Sequence, residues 1–105
     1  MKIFEVVWTD YKQKKNYIIG RLVHDEHYQF RYNQNQIYDA IKNGFRPFVE
    51  FPNIDLTYVS KEIFKTFAIR IPSINRDEID NYLGNGAELA TDRIKIYCRT
   101  DVSEK

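Results

Sequence analysis

Strict alternation marks the early part of the chain. In "YQFRY", Tyr28, Phe30 and Tyr32 fall on one face and Gln29 and Arg31 on the other, the period of a half-buried strand. Ahead of it, "KIFEVVW" and "YIIGRLV" are rich in β-branched and aromatic residues, which suit a pleated surface. The polar stretches "TDYKQKKN" and "HDEH" separate these runs, so the pattern predicts three antiparallel strands joined by short turns. Gly20, inside the second run, predicts a bulge or a close approach of backbone to a neighbour.

The period then changes. In "NQNQIYDAIKNG", Ile37, Ala40 and Ile41 form one helical stripe, with Asn33 or Asn35 as a cap and Gly44 suited to a positive φ past the end. "RPFVEF" predicts a return to strand, with Phe48 alternating against Val49, Pro47 at its start or on an edge, and Pro52 ending it. "VSKEIFKTFA" predicts the main helix: Ser60 as N-cap, Glu62 in the first turn, Ile63, Phe64 and Phe67 buried, and Pro72 as the stop. "SINRDEIDNYLGNG" offers another short helix, with Asn75 and Glu78 at capping-box spacing and Gly84 as terminator. "RIKIYC" closes as a strand with Ile94, Ile96 and Cys98 on one face, and "RTDVSEK" frays. The expected class is α+β: a small antiparallel, meander-like sheet of four or five strands, with two or three short helices packed on it, as a single domain over 1–105.

Charge narrows the function classes. Sixteen Lys and Arg stand against 15 Asp and Glu, a net +1, so bulk electrostatics give no pull toward nucleic acid or an anionic membrane. The basic run Lys12, Lys14 and Lys15 falls between two strands and is expected to be a solvated hairpin tip. The lone cysteine, Cys98, excludes an internal disulfide and a Cys-based zinc site, and points to an intracellular home. "MKIFEVVW" carries Glu5 where a secretory leader needs apolar residues, and no apolar run approaches the ~18 residues of a membrane span. The expected location is therefore cytoplasmic. Abundant Asn, Lys, Ile and Tyr give the composition a bacterial, AT-rich character.

Candidate chemistry is thin. His24 and His27 flank Asp25 and Glu26, but adjacent residues of a tight turn rarely converge on one ion, so an exposed polar turn is expected and no metal or other cofactor. Cys98 falls on an apolar strand face, where a thiol acts as a small hydrophobe. Asp77, Glu78 and Asp80 decorate a helix start, and no phosphate loop or HExxH motif occurs, so no enzyme activity is expected. The Tyr28, Phe30 and Tyr32 face with Arg31 beside it has the composition of a single-strand stacking platform, and an alternative function as a small nucleic-acid-binding module rests on it. Burial of that face under the helices is the expectation that opposes it. Arg70 and Arg76 bracket a proline turn; they suit bidentate recognition of a carboxylate or phosphate, or equally a helix C-cap or pairing with the 77–80 carboxylates.

The ordered series "VVW … YIIGRL … YQFRY … IYDAI … RPFVEFP … VSKEIFKTF … IP" resembles the small N-terminal subdomain of HipA-like serine/threonine kinase toxins. The resemblance covers roughly residues 3–72 and is carried by Gly20, Leu22, Phe30, Tyr32, Arg46, Pro47, Pro52, Phe64, Phe67 and Pro72. The family's closing turn usually reads Leu-Leu-Pro; here it reads "IRIPS". The kinase core that follows in the family is absent from these 105 residues, so no catalytic residue carries over. A free-standing copy is similar to the small HipS-like subunit of HipBST-type toxin–antitoxin systems. That likeness implies an antitoxin or accessory subunit that binds and restrains a HipA-like kinase supplied as a separate polypeptide. It also admits a helix-turn-helix HipB-like protein as a further member, so nucleic acid would be met only indirectly. The expected partner contacts are Tyr58, Phe64, Arg70 and Arg76, and residues 73–105 lie outside the resemblance.

Overall fold

The computed structural model describes residues 2–69, 85–89 and 93–98, the backbone alone for 85–89 and Cys98. Strands β1 (Lys2–Asp10), β2 (Lys15–His24) and β3 (Tyr28–Tyr32) form the expected hairpins; helix α1 (Ile37–Lys42) follows. After an irregular crossing come β4 (Tyr58–Ser60) and the one-turn helix α2 (Lys65–Ala68), then β5 (Asn85–Leu89) and β6 (Ile94–Cys98). The six strands make one sheet in the order β4-β3-β2-β1-β6-β5, every neighbouring pair antiparallel. The class is the expected α+β. The order departs from a simple meander because β6 returns to lie against β1, with Phe4 opposite Cys98 and Trp8 opposite Ile94.

Alternation puts Phe4, Val6 and Trp8 of β1 on one face, with Tyr28, Phe30 and Tyr32 of β3 and Ile94 and Ile96 of β6. On β2, Tyr17, Ile19 and Leu22 all face that side, which a strict period of two forbids. A bulge resolves the conflict: Val6 pairs with Gly20 and Val7 with Ile18, so Ile19 is the extra residue. Where β3 ends, the Asn33 N–H donates to the Ile19 carbonyl at 2.7 Å, and the Ile18 N–H donates to Gln36 Oε1 at 2.9 Å. Gly20 is required here, because a Cβ would lie 2.6 Å from Cε1 and Cζ of the Phe30 ring. Both expectations for this glycine, a bulge and a close approach, are met.

One side of the sheet is covered. Helix α1 lays Ile37 and Ala40 on it, fully buried, with Ile41 at the margin. No Asn caps the helix through its side chain; Asn33 instead holds the preceding turn, its Oδ1 accepting the Asn35 N–H at 3.0 Å and its carbonyl accepting from Ile37 at 2.8 Å. Gly44 takes φ +117° as the helix ends. Phe45, Phe51, Phe64 and Phe67 complete the cover, and Phe30 sits at its centre, with ring centroids 4.5 Å from Phe51, 5.0 Å from Tyr32 and 5.5 Å from Phe67. Each fully buried ring of this kind contributes about 1.5–3 kcal/mol by transfer from water alone.

Two predicted elements differ. "RPFVEF" is not a strand: Phe45, Phe48 and Phe51 turn inward at intervals of three, and residues 45–53 follow an irregular path. Packing of three rings onto the sheet outweighs the β-propensity of the segment, and Pro47 could donate no ladder bond in any case. "VSKEIFKTFA" is not one helix. Its first part pairs with β3 as β4, and only Lys65–Ala68 is helical. Ser60 is no N-cap; its Oγ accepts the Glu62 N–H at 3.2 Å in a turn after β4. The predicted helix over 73–86 lies largely outside the described residues.

Candidate interaction surface

The crossing segment 45–69 is tied to the sheet by a buried phenol. The Tyr32 hydroxyl donates to the Phe51 carbonyl at 2.7 Å and accepts the Phe48 N–H at 2.9 Å. Both are backbone groups of a chain without regular structure, so one side chain replaces two ladder bonds. Burial drives the Tyr32 pKa well above the ordinary phenol range, against the lowering effect of the Phe48 N–H and with a smaller push from Tyr58. The phenol therefore stays protonated and able to donate.

Glu50 fixes the far end. Its Oε1 accepts from the Thr66 N–H at 2.8 Å and the Thr66 hydroxyl at 2.6 Å, and its Oε2 accepts from the Lys65 N–H at 3.3 Å. These are the free amides at the start of α2, whose own N-cap residue, Phe64, offers no side-chain acceptor. Tyr58 closes a smaller loop, its hydroxyl accepting the Asn53 N–H at 2.9 Å and donating to the Asn53 carbonyl at 3.2 Å.

Of the expected partner contacts, Tyr58 and Phe64 are brought together around Phe51, with ring centroids 5.0 Å and 4.9 Å from it. Tyr58 is half-buried at the rim. Phe64 is only 7% exposed and belongs to the core, where Phe51 and Phe67 close over it, so it presents little surface to another molecule. Arg70 and Arg76 lie outside the described residues. What the sequence did not single out is the aliphatic exterior of the same segment: Val49 is 98% exposed, and Leu56, Val59 and Ile69 are more than half exposed. Only Val49 carried a signal, as the outward partner of Phe48 in the alternation.

The other readings of the residues meet plain geometry. Tyr28, Phe30 and Tyr32 are buried, so they offer no stacking platform to a base. Lys12 and Lys14 are exposed at the hairpin tip; Lys15 lies 5.0 Å from the centre of the Tyr17 ring. Buried Asp10 serves the same turn, accepting the Lys12 N–H at 3.0 Å. His24 stacks on Tyr28 at 3.9 Å rather than converging with its neighbours, and no group of three or more potential ligands suited to a metal occurs among the described residues. Among those residues no helix is long and apolar enough to cross a membrane.

The opposite face of the sheet is uncovered by these elements. It carries two adjoining depressions that share Ile18. One, of about 410 Å³, is lined by Glu5, Val7, Lys95 and Tyr97 among others. The second, of about 340 Å³, lies toward β3, between Arg21, Arg31 and the turn before α1. No protein-family model matches this chain, and no curated protein or solved structure matches it.

Proposed function

We propose that this chain is a non-enzymatic interaction domain, a HipS-like antitoxin or accessory subunit that binds and restrains a HipA-family serine/threonine kinase chain in the cytoplasm. A helix-turn-helix HipB-like protein would be a further member of the assembly. One observation carries the surface: among the described residues, the large exposed aliphatic side chains, Val49, Leu56, Val59 and Ile69, all come from segment 49–69, and the other large exposed hydrophobics are Tyr11, Tyr38 and Tyr97. Aliphatic side chains kept in water have no hydrogen-bonding use there, and clustered in one segment they suit a protein partner.

Further support comes from how that segment is held. Tyr32, Glu50 and the Phe51 cluster fix its path before any partner arrives, which lowers the ordering cost of binding. Tyr58 and Val59 belong to β4, an edge strand of the sheet that lies within this segment. The kinase partner itself rests on the resemblance over 3–72, whose Gly20, Leu22, Phe30, Tyr32, Phe64 and Phe67 pack in or against one core.

The test is co-expression with a HipA-family kinase chain. The expected result is relief of kinase toxicity and a complex that co-elutes, lost when Val49, Leu56 and Val59 are replaced together by Ser. Persistent toxicity with no co-eluting complex overturns the proposal.

A further inference from the structure

The 340 Å³ depression has a chemistry that the kinase proposal does not use. Arg21 on β2 and Arg31 on β3 are direct cross-strand partners. Their side chains share the face opposite the aromatic core, and both are exposed. Like charges directly opposite in an antiparallel pair are unfavourable, so an anion bound between them would relieve the repulsion. On β1, Glu5 stands in register with Arg21, but it lines the neighbouring depression, not this one. Among the described residues, the lining here holds Arg21 and Arg31, with Asn33, Gln34 and Asn35, and none that is acidic.

The turn supplies neutral donors. Asn33 Oδ1 is occupied by the Asn35 N–H, which leaves the Asn33 side-chain NH2 as the group it can offer. Gln34 is pinned by its Nε2, which donates to the Ile54 carbonyl at 2.6 Å. Two guanidiniums with an amide donor beside them match a group of two negative charges and several acceptor oxygens. A phosphate monoester is such a group, at about −1.5 to −2 near neutral pH; a carboxylate answers only one of the two charges.

We propose that Arg21, Arg31 and the Asn33–Asn35 turn form a binding site for a phosphate monoester. Among the described residues that line it, none offers an exposed aromatic ring on which a base could stack, which favours an ester carried on a protein side chain over a nucleotide. It does not depend on the identity of the partner proposed above, and its probes contain no kinase.

The test is a titration of the full chain with inorganic phosphate and with a short phosphoserine peptide, followed by NMR at backbone amides and arginine Nε. Saturable shifts are expected at Arg21, Arg31 and residues 33–35. Arg21→Gln and Arg31→Gln should each weaken binding by about tenfold or more, and Arg31→Lys, which keeps the charge but loses the fork, should weaken it measurably. Binding should tighten as pH rises through about 6, where the ester takes its second charge. Tighter binding of the peptide assigns the site to a chain-borne ester, and equal binding to free phosphate; either upholds it. Arg31→Gln removes one of two opposed like charges and leaves Arg21 opposite Glu5, so its melting temperature should not fall. Shifts spread evenly over the hairpin-tip lysines, shifts that never saturate, or affinity unchanged in all three folded variants overturn the site.

Discussion

The hairpins β1–β3 and the crossing segment 45–69 build opposite sides of the same aromatic core by different means. In the hairpins, alternation decides which side chains turn inward, and ladder bonds satisfy the backbone. In the crossing segment there is little ladder. Three phenylalanines at intervals of three dock on rings already placed by β3, and the Tyr32 phenol and the Glu50 carboxylate satisfy backbone groups across 16–19 residues of sequence. The first region is a local consequence of the chain; the second is a consequence of the first. Disturbing the hairpins should therefore unfold both, while disturbing the ties should loosen the crossing segment alone.

Phe30→Ala tests the first half of that statement and should have the largest effect. It removes the ring on which Tyr32, Phe51 and Phe67 meet, and is expected to cost about 3–5 kcal/mol in denaturant unfolding. Gly20→Ala comes next. Its Cβ meets the same ring at 2.6 Å and the Arg31 carbonyl at 3.0 Å, an overpacking expected to cost about 1–3 kcal/mol.

Tyr32→Phe separates the regions. The ring stays, but the Phe48 N–H and Phe51 carbonyl lose their partner, at a cost of about 1–3 kcal/mol. It also carries a pH signature. A phenol whose folded pKa lies above its unfolded value of about 10 contributes stability that is complete below pH ~10 and is lost as pH rises toward the folded pKa, because the unfolded state releases its proton first. The wild type should thus lose stability above pH ~10 faster than Tyr32→Phe, measured as the difference between their unfolding free energies across that window. A constant difference there would contradict the buried, protonated phenol. Glu50→Ala should be milder still, about 1 kcal/mol, with faster amide exchange at Lys65 and Thr66 and none in β1–β3.

The same contrast explains what could be read from the chain. The period of two placed Tyr28, Phe30 and Tyr32, the helical stripe placed Ile37 and Ala40, and Gly20 and Gly44 announced their own backbone demands. Ser60 and "RPFVEF" misled because the forces that decide them are distant in sequence. Tyr58–Ser60 becomes a strand only because β3 offers an edge, and α2 begins where Glu50, 16 residues away from Thr66, can cap it. The Arg21–Arg31 pair was hidden for a related reason. Alternation placed Arg31 outward, but placing Arg21 beside it needed the bulge at Ile19 and the β2–β3 register.

Hydrogen exchange of this chain, alone and mixed with a HipA-family kinase chain, tests the proposed role of the crossing segment most directly. Added protection should concentrate in residues 49–69, around Val49, Leu56, Val59 and Ile69, with the hairpin tip at 11–14 unchanged. Protection elsewhere with none in 49–69, or no change anywhere on mixing, would contradict it.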